Sequence, residues 1–275
     1  METIKKDTVS IITIVLNGEK YIEETIISVL NQENVKIEYI VIDGGSKDNT
    51  LQKIKKYENK IDILISEQDH GIYDAINKGI NLASGSLIGL IHCGDFYAKN
   101  AVSLAYNEYI KTNAEIIYGD ITTIEVVANY TTNFTKSANH FNLRKEFSIF
   151  HPATFVSNNC YKTRGVYDSS YKIAADYDLF LKYFIEGISF SHIPIPLAFF
   201  RLGGLSGKNF SILVKENIRI KVKFIGYKEA IRFAITSTFI QMILSLRNIF
   251  IISIIGNNNF SKLKLHYHRK FLRQK

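Results

Sequence analysis

Between Val9 and Leu16 the chain is an almost unbroken run of β-branched and aliphatic residues (VSIITIVL), the pattern of a strand buried on both faces. From Glu19 to Gln32 the period changes: Ile22, Ile26, Val29 and Leu30 recur at helical spacing. The alternation then repeats. Ile37 to Ile42 predicts a strand, Thr50 to Tyr57 a helix, Ile61 to Ser66 a strand, Tyr73 to Ala83 a helix and Leu87 to His92 a strand. Such a βαβ series predicts an α/β protein with a parallel sheet and helices on its faces. The following half is less regular, with a strand-like Glu115 to Thr122, a polar stretch from Asn129 to Arg144, a helix near Asp176 to Glu186 and a strand-like Ile188 to Ile193.

Composition narrows the class. With 275 residues, 46% hydrophobic and 22% charged, the chain is long enough to bury a large core, as one domain with an appendage. Cys93 and Cys160 cannot build a disulfide framework and lack metal-ligand spacing, which leads to the expectation of a reducing compartment. The segment Met1 to Ser10 has no signal-peptide core, so a cytoplasmic location is expected.

The net charge of +8 is uneven: residues 1–207 carry 20 Lys and Arg against 24 acids, and residues 208–275 carry 14 against two. This divides the chain into a main domain over 1–207 and a basic, helical, amphipathic region over 208–275 with an anionic partner. Between Arg232 and Lys262 the only charge is Arg247, and Phe233 to Leu246 and Ile249 to Ile255 are apolar. The first stretch, 14 residues, is shorter than the ~20 that cross a bilayer, so lying in the inner face of the cell membrane is favoured over spanning it. Lys215, Lys221, Lys223 and Lys228 before it, and Lys262, Lys264, Arg269, Lys270 and Arg273 after it, suit an anionic membrane surface. A nucleic-acid partner is disfavoured by the acidic body and the scattered aromatics of the tail.

The chemically interesting residues follow the strands, where ligands bind in open α/β sheets. Asp43-Gly44-Gly45-Ser46-Lys47-Asp48 joins a strand to a helix; Asp43 could accept from a nucleobase, or the segment could be a plain turn with Ser46 or Asp48 as helix cap. It lacks the G-x-G-x-x-G dinucleotide fingerprint, which disfavours a nicotinamide cofactor. Glu67, Asp69 and Lys78 lie in SEQDHGIYDAINKG: the acids suit a helix amino terminus, Lys78 could meet phosphate, and Asn77 and Gly79 are weak helix formers that require a packing or ligand reason. His92-Cys93-Gly94-Asp95 ends the fourth strand, with Asp95 placed to hold a divalent cation against a diphosphate. Asp176 and Asp178 begin a late helix; from position alone Asp176 reads as a cap or as a general base for an acceptor hydroxyl.

In order and in combination, these segments resemble the family 2 glycosyltransferases, inverting enzymes of the GT-A fold, a Rossmann-like and mostly parallel sheet flanked by helices. The resemblance spans about residues 8–206. It implies a sugar moved from a nucleotide-diphosphate donor to a glycan or lipid-linked acceptor, with Mn²⁺ or Mg²⁺ as cofactor. It implies base recognition by Asp43, with Glu67, Asp69 and Lys78 continuing the donor pocket; a D-x-D-type metal motif on His92 to Asp95, with Gly94 and Asp95 at the diphosphate and Asp95 on the metal; and Asp176 as catalytic base. The run Phe200 to Ser206 is similar to a loop that closes over the diphosphate, which puts Arg201 and Ser206 in the site. Two positions depart from the pattern: His92 replaces the motif's first Asp, and Ala175 replaces the Glu before the base. Branches acting in surface-polysaccharide or lipid-linked glycan assembly show similar variants. The rival enzyme class, a nucleotidyltransferase, usually has a glycine-rich phosphate loop after its first strand, where this chain has Asn17-Gly18.

Overall fold

Strand β1 (Lys5–Val15) lies at the centre of the parallel half of the sheet, paired with β2 (Lys36–Asp43) on one side and β4 (Gly85–Leu90) on the other. β3 (Ile63–Ser66) extends the parallel set beyond β2. The structure is a computed structural model, and it describes residues 4–127, 130–202, 209–237 and 239. Helices α1 (Ile22–Leu30), α2 (Thr50–Lys55) and α3 (Ile72–Leu82) make the crossovers, so each βα unit read from the sequence is present to within a few residues.

The second half closes the sheet differently. β5 (Phe96–Tyr97) and α4 (Ala101–Thr112) lead to β6 (Ile116–Val127) and its neighbour β7 (Tyr130–Lys136); β8 (Thr154–Ser157), α5 (Asn158–Arg164), α6 (Ala175–Ile185) and β9 (Phe190–Arg201) follow. The strand order is β3-β2-β1-β4-β8-β6-β9-β5, with β7 beside β6. β8 runs antiparallel to both β4 and β6, and β5 antiparallel to β9. The parallel half thus carries the expected architecture, and antiparallel pairing is confined to strands added later in the chain.

Helix α4 carried no sequence signal because its buried side chains are small: Ala101, Val102, Ser103 and Ala105 face the core, giving little hydrophobic contrast around the helix. Left-handed Asn100 and Asn113 bound it. The polar stretch Asn129 to Arg144 contains β7, whose alternation is masked by threonines.

The core of this unit joins Val9, Ile11 and Val15 of β1 to Ile22, Ile26 and Val29 of α1, Tyr39 and Val41 of β2, and Phe155 of β8. Glu38, almost fully buried, pins three strands together: it accepts from Ser10 and Lys5 of β1 and from the Ser84 hydroxyl and N–H just before β4. Burial alone would raise its pKa, but these donors hold it at about 2. Gly79 of α3 is explained here. A Cβ there would lie 2.4 Å from Ile12 Cγ2, so glycine is what lets α3 lie on β1.

A second unit comprises residues 123–134 and everything from Leu202 onward. Within it Leu202 N–H donates to Ile124 O (2.9 Å), helix α7 runs over Phe210–Phe224, and a further helical run covers 227–237. Ile220, Lys221 and Ala230 are buried, and Lys221 Nζ lies 5.0 Å over the Phe233 ring. Tyr227, Ile231, Ile235 and Phe239 repeat every four residues and are all more than half exposed, which puts them on one face. Among the described residues no helix is long and apolar enough to cross a membrane. The apolar stretches beyond Phe239 lie outside the described residues.

Candidate active site

Two loops at the carboxyl ends of β1 and β2 lock together. Asn17 N–H donates to Ser46 Oγ (2.8 Å), Lys47 N–H to Asn17 Oδ1 (2.9 Å), Gly18 N–H to Thr50 Oγ1 (2.8 Å) and Glu19 N–H to Asp48 Oδ2 (3.2 Å). Asp48 therefore braces the two loops through Oδ2 and accepts from Thr50 N–H (3.0 Å) at the start of α2 through Oδ1, although Asn49 holds the cap position. Asp43, fully buried at the end of β2, accepts from Ser46 Oγ (2.5 Å) and from Ser66 Oγ at the end of β3 (2.6 Å). Ser46 N–H also lies within reach of both Asp43 oxygens (3.2 and 3.3 Å), so the two serines fix the orientation of the carboxylate.

Asp69 is set against this turn with no room to spare. A Cβ on Gly44 would sit 2.3 Å from Asp69 Oδ2, while Asp69 Oδ1 accepts from Gly71 N–H (3.0 Å). Lys78 pairs with Glu67 (2.9 Å) and with Asp74 one turn earlier (3.3 Å), and these carboxylates, Glu67 first, raise its pKa. Glu67 and Lys78 are thus each other's partners on an exposed rim. Asn77 has a structural role: its amide donates to Tyr167 O (2.8 Å) and accepts from Tyr167 N–H (3.1 Å), tying α3 to the segment before α6.

At the end of β4 the chain turns through Gly94 (φ +103°), whose N–H donates to Thr25 Oγ1 of α1 (3.1 Å). Thr25 Oγ1 in turn donates to Asp95 O (2.8 Å). Arg201, the last residue of β9, closes the cluster. Its N–H donates to Asp95 Oδ1 (3.0 Å), its Nε to Gly94 O (3.2 Å) and its Nη2 to Glu24 Oε2 (2.7 Å), and its guanidinium lies 4.6 Å over the Tyr21 ring. Burial pushes the Asp95 carboxyl up to about 7, against the opposing pull of the Arg201 N–H and charge.

Among the described residues no group of three or more His, Cys, Asp or Glu is arranged to hold a metal. A site in which one buried carboxylate meets a cation whose other ligands are substrate phosphates fits Asp95, whose burial an added positive charge would offset.

The third cluster joins the end of β4 to helix α6. The His92 ring packs against His151 with centroids 4.3 Å apart and planes tilted by 35°, and His151 Nδ1 lies 3.8 Å from Asp176 Oδ2. Asp176 is therefore no helix cap; Ala174 holds that position, with no side-chain cap bond. Its side chain is 15% exposed and Oδ1 makes no hydrogen bond. Burial pushes its pKa up to about 7, opposed by the Tyr167 hydroxyl. Burial lowers both imidazoles, His92 to about 4, and holds them neutral. Asp178, expected as a cap or a surface residue, is buried and accepts from the Tyr171 hydroxyl (2.8 Å).

The structure thus gathers Asp43 with Asp69, Glu67 with Lys78, and Gly94 and Asp95 with Arg201, and it sets Asp176 beside His151, whose ring packs against His92 after β4. Ser206 lies outside the described residues. Sequence reasoning gave no role to His151, Tyr21, Glu24 or Thr25. A His-Pro pair directly before the buried run of β8 was the only signal for the first, and the α1 residues had none beyond their polarity.

Residues 10–165 match the sequence profile of the family described as Glycosyl transferase family 2. The chain is 31% identical over 180 residues to the uncharacterized glycosyltransferase MT1564 of Mycobacterium tuberculosis (strain CDC 1551 / Oshkosh), covering 64% of this chain and 68% of that protein. It is 26% identical over 221 residues to the PGL/p-HBAD biosynthesis glycosyltransferase of Mycobacterium bovis (strain BCG / Pasteur 1173P2), covering 76% and 82%. Its fold is similar to that of S. aureus TarS 1-349 in complex with UDP-GlcNAc, with a TM-score of 0.60 and 17% identity over 82% of this chain and 70% of that one.

Proposed function

The chain belongs to glycosyl transferase family 2 and is a glycosyltransferase, and on that premise we propose that it moves a sugar from a nucleoside-diphosphate donor to an acceptor hydroxyl with inversion at the anomeric carbon. The observation that carries this reading is the position of β4. Two residues separate His92, which reaches Asp176 through His151, from Asp95, which is bound to Arg201. An acid suited to the leaving group and an acid suited to the acceptor thus flank one strand end.

In the proposed reaction Asp176 takes the proton of the acceptor hydroxyl while that oxygen attacks the anomeric carbon from the face opposite the diphosphate. A side chain working near neutral pH needs a carboxyl raised from its ordinary value, and burial supplies this at Asp176. Asp43 and Asp69 hold the nucleoside side, their orientation fixed by Ser46, Ser66 and Gly71. Arg201 keeps Asp95 and Gly94 in register for the diphosphate. A divalent cation on Asp95 would neutralise the departing diphosphate charge. The fold likeness to a protein seen with UDP-GlcNAc favours a uridine donor.

The decisive experiment is a thermal-shift panel of UDP-GlcNAc, UDP-glucose, GDP-mannose and dTDP-rhamnose, each with and without Mn²⁺ or Mg²⁺, because a ligand of the native state raises its melting temperature by mass action. One donor class should stand out; no shift with any donor would overturn the reading.

The acceptor belongs with surface-polysaccharide or lipid-linked glycan assembly, and the chain works at the inner face of the cell membrane. Support comes from the stripe Tyr227, Ile231, Ile235 and Phe239 beside Lys228 and Arg232, in a region with 14 basic residues against two acids. The full chain should sediment with anionic vesicles and a chain ending at Gly207 should stay in solution. Equal behaviour of the two removes the membrane role.

A further inference from the structure

Among the described residues, His151 faces the base candidate from outside its own helix with a ring nitrogen. It stands in a short 3-10 turn, His151–Ala153, directly before β8, held there by Pro152 and by Ala153 N–H donating to Phe150 O (2.9 Å). Its ring is backed by His92 at 4.3 Å, which limits rotation. Nδ1 faces Asp176 Oδ2 at 3.8 Å, beyond hydrogen-bond length, while Nε2 and Asp176 Oδ1 are buried without a hydrogen-bond partner. Catalytic hydrogen bonds are often long before substrate arrives and tighten in the complex. Both side chains retain some exposure, 16% for His151 and 15% for Asp176, so the pair sits at a wall that a substrate can reach.

We propose that His151 is the positioning residue for Asp176: its Nδ1–H, directed at Oδ2, orients the carboxylate toward the acceptor hydroxyl. This deepens the glycosyl-transfer reading and rests on it. The family pattern has a Glu before the base where this chain has Ala175, and the imidazole supplies the orientation from another element. His151 stays neutral throughout. The hydroxyl proton passes to the Asp176 carboxylate, the electron pair it leaves forms the new bond to the anomeric carbon, and the bond from that carbon to the diphosphate breaks with its electrons going to the leaving group. Burial and the neighbouring His92 keep the imidazole uncharged; the proposal puts its one ring proton on Nδ1, the nitrogen that faces the carboxylate, and leaves Nε2 bare. The titratable groups facing Asp176 are His151, Tyr167 from the loop before α6 and Tyr161 of α5; His92 faces His151.

An N–H donor to a carboxylate favours its charged form, so losing the donor raises the pKa of Asp176 and moves the acid limb of the rate upward. Asn reaches the place of Nδ1 with an N–H donor and Gln reaches that of Nε2, so the two amides separate the ring positions. Release of nucleoside diphosphate, from whichever of the four nucleotide sugars stabilises the chain most and with water as acceptor, is measured against pH. His151→Gln and His151→Ala should lower kcat by about 10- to 100-fold with an acid limb at higher pH and little change in donor KM. His151→Asn should keep the wild-type acid limb and recover most of the rate. A carboxyl ¹³C titration, with the Asp176 signal assigned by its loss in Asp176→Asn, should give the same upward shift in His151→Gln without turnover. An unmoved Asp176 titration in His151→Gln, or an Asn variant no better than Gln, overturns the proposal while leaving the base reading intact. Wild-type turnover in Asp176→Asn removes the base reading, and this proposal with it.

Discussion

The loops after β1, β2 and β3 and the pocket beside α6 are both built of carboxylates at the rim of one sheet, yet their hydrogen bonds are in opposite states. On the first side Asp43, Asp48, Asp69 and Glu67 each have protein partners, and the loops are laced together before any ligand arrives. On the second, Asp176 Oδ1, His151 Nε2 and His92 Nδ1 are buried without a hydrogen bond. A buried polar atom left unpaired costs about 1–3 kcal/mol, so the second side holds a local cost that the first avoids. The difference teaches where recognition and chemistry divide. Recognition gains from a fixed frame, since a preformed site loses less entropy on binding. A base must keep a free oxygen and a poorly solvated charge in order to take a proton near pH 7.

The sharpest way to break this contrast is Asp176→Asn. Transfer should fall by about 10² to 10⁴-fold while donor-induced stabilisation persists. The wild-type rate should drop as pH falls below about 7, where Asp176 becomes protonated. Stability should run the other way. Because the folded-state pKa is raised, the native chain binds this proton more tightly than the unfolded chain, so its contribution falls as pH rises from about 4 to about 7. Asp176→Asn should therefore melt no lower than wild type at pH 8. A large loss of stability there would mean that the pocket is not strained as described.

Asp95→Ala comes next in size. It should weaken metal-dependent donor binding by about tenfold or more, read as a smaller thermal shift with Mn²⁺ or Mg²⁺. Full wild-type activity in excess EDTA would instead assign charge neutralisation to side chains such as Arg201. Asn77→Ala tests whether the fixed side supports the strained one. It removes both bonds to the Tyr167 backbone and should cost about 1–3 kcal/mol, lowering the melting temperature by several degrees. Gly44→Ala should have the smallest effect. The added methyl displaces the Asp69 carboxylate, a side-chain end that can swing away, so stability should change by no more than about 1 kcal/mol while donor Kd rises severalfold. Unchanged Kd would reduce Asp69 to a loop residue.

The same division governs what could be read from the sequence. The first four strands were legible because each is a run of large aliphatic residues separated by periodic helices, and the acids that follow them fall where ligands meet parallel sheets. The second half resisted because its strands pair with partners far along the chain: β8 with β4 and β6, β5 with β9. No local period records such pairing. Asp176 read as a cap or a general base from position alone, and only family resemblance favoured the base, since a carboxylate in a first helical turn resembles a cap. What makes it a different kind of residue is His151, 25 positions earlier, and sequence carries no trace of that proximity. Gly79 and Asn77 announced themselves correctly as requiring a reason, and the reasons were Ile12 and the Tyr167 backbone, neither of them a ligand.

One contact also sets a clock. Asp95 takes its backbone donor from Arg201, 106 residues later, and the same arginine reaches back to Glu24. As the chain leaves the ribosome at roughly 5–20 residues per second, Asp95 is made about 5 to 20 s before the residue that orients it. Until β9 has emerged and paired, the nascent chain holds the Asp95 carboxylate without this donor. On the proposed function, donor turnover should await the end of β9, and a chain truncated before Arg201 should show none.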